Sequence, residues 1–201
     1  MTDASTLTFA LQAFVTLMVI LDPPGNAPIF LSVLGERSAK MGRQLAIQAA
    51  AISLLIISGF ALFGRFVLAY MEVSIGAMQA AGGLLLLLVS LNLLTGKEDN
   101  ELTSGSKNVA MVPLATPLLA GPGAIVAVMI FAEQVKNPSM GIALAGAVVA
   151  VHIVVALALM ASTFILRVIG KSGVDLLARI SGLVLAGIAV QMLANAINAL
   201  F

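Results

Sequence analysis

The sequence has no cysteine and no tryptophan, a single histidine, a single tyrosine, and only 10 basic and 9 acidic side chains in 201 residues. Each shortage removes a class of function. Without cysteine there are no disulfides, no thiol chemistry and no thiolate-held metal. One histidine and scattered acids leave no cluster that could bind a catalytic metal, and no Ser/His/Asp set shares a depth in the chain, so the sequence carries no enzyme signature. No metal or organic cofactor is expected. No basic stripe with interleaved aromatics is present, which leaves nucleic-acid binding without support. Charged residues make up 9% of the chain, against roughly 25% in a soluble domain. So few charges cannot cover a water-facing surface.

What is present is hydrocarbon. Hydrophobic residues make up 61% of the chain, and the mean hydropathy is +1.13. A bilayer core of ~30 Å takes about 20 helical residues, and six segments reach that length: Leu7–Leu34, Gln44–Gly64, Val73–Gly96, Val109–Ala132, Pro138–Leu166 and Ile180–Phe201. The start, Met1-Thr2-Asp3-Ala4-Ser5, lacks the basic residues of a cleaved signal, so the first segment is expected to stay. The fold expected is therefore an all-α membrane protein, a single transmembrane domain over residues 1–201 with six transmembrane helices. The longest connections, 97–108 and 167–179, are short.

Basic residues in short loops set orientation. Arg37, Lys40, Arg43, Lys97, Lys107, Arg167, Lys171 and Arg179 fall on one side, and Arg65 and Lys136 on the other. Eight against two makes the first side cytoplasmic and sends both termini outward. Glu98, Asp99 and Glu101 sit in a loop and read as solvated charge.

Two segments are interrupted alike. The first reads Asp22-Pro23-Pro24-Gly25-Asn26-Ala27-Pro28, and the fourth reads Ala120-Gly121-Pro122-Gly123-Ala124. Pro24-Gly25 and Pro122-Gly123 lie 98 residues apart, while Gly83 with Gly182 and Asn92 with Gln191 lie 99 apart. Halves 1–96 and 109–201, joined by loop 97–108, hold three spans each. Because three is odd, the second half enters the membrane with opposite polarity, giving two inverted three-helix repeats with broken first and fourth helices, a plan common among secondary transporters.

Proline removes a backbone donor and glycine tolerates unusual dihedrals, so both breaks should open the helix. Non-helical backbone survives in hydrocarbon only inside protein or beside a polar cavity. Half-helices are expected from about Ala27 and Ala124, with their N-terminal N–H groups suited to a carboxylate, and Asn26 is placed to cap the first. Asp22, whose repeat counterpart would be Ala120, is an acid within a span. It either binds a substrate ammonium, a proton or a sodium ion, or caps the half-helix; both can hold at once.

The break sequences, Asp22 through Pro28 and Pro113-Leu114-Ala115-Thr116-Pro117-Leu118-Leu119-Ala120-Gly121-Pro122-Gly123-Ala124-Ile125, resemble the two signatures of the MarC family of bacterial and archaeal membrane proteins, and Gln79–Leu94 with Gly82-Gly83 resembles its third span. Pro24 departs from the aliphatic residue expected between Pro23 and Gly25. The resemblance implies a six-span inner-membrane protein with outward termini, and for some members transport of small neutral amino acids such as glycine and alanine. A zwitterion would then be held by Asp22, Pro24, Gly25, Asn26, Thr116, Gly121, Gly123 and Ala124. Small residues at both breaks leave little relief for a large side chain.

Other polar residues have structural readings beside functional ones. His152 reads first as an interhelical hydrogen bond and second as a proton relay. Asn92 and Gln191 either line the cavity or join helices, and Thr116 either meets substrate or bonds back to its own helix. The rivals to a carrier are a membrane scaffold, an exporter of other small solutes, and a channel with Asp22 repeated in an oligomer. Gly82, Gly83, Gly182 and Gly187 allow close helix approach, within or between subunits.

Overall fold

The computed structural model describes residues 3–34, 38–95 and 119–200, all of them helix or short connection with no strand among them. Loop 97–108 with Lys97, Lys107, Glu98, Asp99 and Glu101, the start of the fourth segment from Val109, Thr116, and Arg37 lie outside the described residues. Seven helices follow in order: α1 Asp3–Leu21, α2 Pro23–Leu34, α3 Ala39–Tyr70, α4 Ile75–Thr95, α5 Pro122–Glu133, α6 Pro138–Met160 and α7 Ser162–Leu200. Five stretches are long and apolar enough to cross a membrane: Ser5–Ala27, Ala39–Tyr70, Ile75–Thr95, Pro138–Met160 and Ser172–Leu200. α5 is a shorter apolar helix of 12 residues. The expected count of six thus becomes five of spanning length plus α5 among the described residues.

Several boundaries differ from expectation, and α6 ends at Met160 rather than Leu166. α3 extends past both ends of Gln44–Gly64, because Ser38 caps it early, accepting from the Met41 amide at 3.3 Å, and because Arg65 sits at its far end as an exposed residue in the helix. The stretch 167–179, expected as a connection, is helical apart from Gly170, whose φ of 71° and ψ of 169° kink α7. One glycine in the left-handed region supplies the whole turn, and a segment free of proline has no reason to unwind further.

Lipid gives apolar helices no reason to leave it, so the packing rests on small side chains that let backbones approach. α1 buries Phe9, Ala13, Leu17 and Leu21, every fourth residue, and this stripe lies on α6. α3 and α6 pack antiparallel: Gly42 shares a cavity wall with Leu159, while Ser53 meets His152. α4 and α7 also run antiparallel. A Cβ on Gly83 would lie 3.0 Å from the Ala189 carbonyl, and one on Gly182 would lie 3.1 Å from the Ser90 carbonyl. α5 is wrapped by α3, α4 and α1, and Gly123, Ala124, Val126, Ala127, Val128 and Met129 are all buried. Outward, Leu55, Leu62, Phe66 and Leu183 are exposed, as hydrocarbon-facing side chains are in a membrane protein.

Local features recur at a separation of 99 residues. α2 and α5 each have 12 residues and start at Pro23 and Pro122. Ser38 and Asn137 both cap helices, the latter accepting from the Met140 amide at 2.9 Å. The breaks therefore share the 99-residue register of the spans, not the 98 inferred from Pro-Gly, and the residue matching Asp22 is Gly121 rather than Ala120.

Candidate functional site

The chain turns sharply at Asp22 because Pro23 follows it. A residue before proline is pushed out of the right-handed helical region, and Asp22 takes φ 36°. Asp and Asn are the side-chain-bearing residues that accept this left-handed backbone most readily. The interruption is one residue wide: the Asp22 amide still donates to Met18 O at 3.2 Å, and the Asn26 amide donates to Asp22 O at 3.0 Å. Pro23 and Pro24 occupy the first positions of α2, where their missing N–H groups cost nothing.

Side chains satisfy what the turn leaves behind. The Gly25 amide donates to Asp22 Oδ1 at 3.4 Å, so Asp22 is the N-terminal cap of α2. Asn26 does not have the capping role expected of it. Its Nδ2 reaches back to donate to Leu21 O at 2.6 Å, closing the end of α1. The half-helices begin earlier than about Ala27 and Ala124, at Pro23 and Pro122, since proline is a helix-starting residue. Gly25 is required where it stands, because a Cβ there would strike the Asp22 carboxylate.

Sequence reasoning missed Ser181. Its side chain, on α7, hydrogen-bonds the carboxylate of Asp22, which is 9% exposed. The signal was available: Ser181 stands 99 residues after Gly82 and next to Gly182, so it occupies the glycine-lined face that packs on the other helices. Asp22 and Asn26, both buried, and the half-buried Gly25 and Ser181 thus form one polar cluster where α1, α2 and α7 meet.

The helix begun by Pro122 lies against the end of α1. Gly121 caps α5 with extended backbone, φ −63° and ψ 161°, and as a glycine it contributes no side-chain cap; the Ala124 and Ile125 amides donate to its carbonyl at 3.0 and 3.2 Å. A Cβ on Gly123 would clash with Leu86, and would lie 3.7 Å from Ile20, two residues before Asp22. Leu86 is at the middle of α4. Gly121, Gly123 and Ala124 therefore sit beside the end of α1, with Ala124 2% exposed.

The remaining candidates lie elsewhere. His152 is 3% exposed and on the α3–α6 interface. Its Nδ1 is 2.7 Å from Val148 O, which fixes the proton there, so Nε2 accepts from the Ser53 hydroxyl at 3.0 Å. Asn92 and Gln191 are on the exposed faces of α4 and α7, and Gln191 donates to Asn195 Oδ1 at 2.9 Å.

Two cavities flank the core. One, of about 490 Å³, lies between the end of α3, the start of α4 and α5, and is lined among others by Phe60, Arg65, Ser74, Met129 and Glu133. Arg65 Nε and Glu133 Oε2 are 3.6 Å apart at its rim. The other, of about 330 Å³, lies between α2, the start of α3, the end of α6 and the start of α7, lined among others by Phe30, Arg43, Leu159, Phe164 and Arg167. Phe60 with Leu159, Arg65 with Phe164, and Phe30 with Met129 are again 99 apart.

The MarC family integral membrane protein model matches residues 7–201, nearly the whole chain and both break sequences. The chain belongs to the MarC family. A UPF0056 membrane protein of Methanocaldococcus jannaschii is 35% identical over 96% of this chain and 97% of its own, one of Aquifex aeolicus is 31% identical over 93% and 91%, and the UPF0056 inner membrane protein YhgN of Escherichia coli K12 is 32% identical over 94% and 95%. No solved structure matches. This chain is thus an integral membrane protein of the MarC family, and its described residues hold a buried acid, Asp22, that caps α2.

Proposed function

We propose that this MarC protein is a secondary carrier of small neutral amino acids, of glycine or alanine size, in the inner membrane, built as two inverted three-helix halves with both termini outward. The observation that carries the reading is the pair of 12-residue helices begun by Pro23 and Pro122, the second of which lies at Gly123 against Ile20 near the end of α1. Of the fourth segment, Val109–Ala132, which this reading takes as a span, the described residues hold α5. An in-plane two-fold axis would make α3–α6 and α4–α7 self-paired and antiparallel, which agrees with their packing. It would also generate one vestibule on each face of the membrane, which agrees with two cavities lined by positions 99 apart. Carriers of inverted-repeat design expose a central site alternately through two such vestibules.

At the center, the N-terminus of α5, where the cap residue Gly121 has no side chain, would hold the substrate carboxylate. Asp22 would accept the ammonium in place of the Ser181 hydroxyl and carry any coupling proton or sodium ion. The tightness of Gly25 against Asp22 and of Gly123 against Leu86 supports a small solute over a large one. Counterflow in proteoliposomes tests the reading. Labelled glycine or alanine should accumulate transiently against unlabelled substrate inside and saturate, whereas no uptake of any small amino acid would leave the scaffold reading in its place.

A further inference from the structure

The two cavities differ in charge. In the larger, Arg65 faces Glu133 at 3.6 Å. In the smaller, Arg43 and Arg167 both line the wall, and no acid does among the described residues. Arg43 comes from the first turns of α3 and Arg167 from the start of α7, so two arginines on separate elements line one space of about 330 Å³. Two like charges facing one cavity of low-dielectric walls focus a positive potential into it. The same wall carries the hydroxyls of Ser162, which is 2% exposed, and Thr163. The rest is apolar, and Phe164, 66% exposed, continues that apolar surface outward beside Arg167.

A cavity with a cationic, hydroxyl-bearing floor and an apolar lip fits an amphiphile whose head is an oxyanion. Guanidinium forks match phosphate oxygens, and basic pockets between helices at the membrane surface are head-group sites. We propose that Arg43 and Arg167, assisted by Ser162 and Thr163, bind the phosphate of an acidic phospholipid in this cavity, with Phe164 against its acyl chain. The site is separate from Asp22 and does not depend on what the protein carries.

The test is native mass spectrometry of the purified protein in detergent, titrated with phosphatidylglycerol, with phosphatidylcholine, and with inorganic phosphate. Phosphatidylglycerol should be retained in preference to phosphatidylcholine. Retention should fall on the order of tenfold in R43Q/R167Q, the loss expected for two charge-assisted hydrogen bonds, and stay at wild-type level in K136Q/R179Q, which removes two charges elsewhere. If R43Q/R167Q does not fold, R43Q and R167Q singly carry the same comparison. Competition by inorganic phosphate would support an oxyanion site. Phosphate binding without phosphatidylglycerol binding would overturn the lipid assignment in favor of a free anion. Equal retention of both lipids, or of phosphatidylglycerol by both double variants, would overturn the proposal.

Discussion

Ser53 on α3 and His152 on α6 meet at 3.0 Å in the core, and they stand 99 positions apart. Residues related by a two-fold axis can touch one another only where they lie near that axis. This pair is therefore where the proposed axis would pass between the second and fifth spans, and Gly83 and Gly182, each against the other helix's carbonyl, mark it between the third and sixth.

That contact has an energetic consequence. Ser53 is fully buried, so Ser53→Ala leaves His152 Nε2 without its donor. An unsatisfied buried group costs about 1–3 kcal/mol, although interhelical hydrogen bonds in membranes average nearer ~0.6 kcal/mol. Thermal unfolding in detergent should show a lower Tm for S53A, and S53A/H152L, which removes both partners, should recover most of it. An S53A protein as stable as wild type would mean that the bond contributes nothing.

Asp22 and Ser181 separate a structural acid from a functional one. Asp22→Asn preserves shape, the left-handed backbone and an oxygen for the Gly25 amide, but removes the charge. The variant should fold, keep a Tm close to wild type, and lose glycine and alanine counterflow. Ser181→Ala should retain transport with an altered apparent affinity, because the hydroxyl only occupies the carboxylate in the absence of substrate. Normal flux through D22N would take Asp22 out of the mechanism and leave it as a cap.

The sequence made the membrane assignment, the prolines at which α2 and α5 begin and the small-residue faces legible, because hydrophobic length, Pro-Gly pairs and glycine spacing are local signals. What it hid was non-local or one residue deep. Asn26 lies beside the break and looked like its cap. Only the turn at Asp22 shows that Asp22 has that position, while Asn26 sits a turn inside α2 with its amide directed back to Leu21 O. Ser181 could not be paired with Asp22 without knowing that α7 crosses α2. The 98-residue offset came from matching Pro24 with Pro122. Helix starts, set by the first proline, match Pro23 with Pro122. Asn92 and Gln191 kept the 99-residue register yet lie on exposed faces, since register alone does not say which side of a helix is inward.

Two glycines on α7 should respond oppositely to alanine. A Cβ at Gly182 would be 2.9 Å from Leu93 Cβ and 3.1 Å from the Ser90 carbonyl. A backbone oxygen cannot yield as a side-chain tip can, so Gly182→Ala should cost about 1–3 kcal/mol as overpacking. At Gly187 nothing lies within 4 Å, and alanine should be neutral or gain up to ~1 kcal/mol of helix propensity. Melting temperatures of the two variants compare them directly. A G187A protein damaged as much as G182A would show that the face bearing Gly187 is covered by another subunit.

The absence of cysteine allows the inverted arrangement to be tested on a protein otherwise unaltered. Lys40, at the start of α3, and Lys136, just before α6, are both exposed and lie next to the helix caps Ser38 and Asn137, which share the 99-residue register. Equivalent positions in inverted halves must face opposite sides of the membrane. In intact cells a membrane-impermeant maleimide should label Lys136→Cys and spare Lys40→Cys, which should react only after permeabilisation. Eight of the ten basic residues lie on the Lys40 side in this arrangement, as retention of positive loops in the cytoplasm requires. If both cysteines label from the same side, the halves are parallel, the two cavities open to one compartment, and no alternating path runs between them.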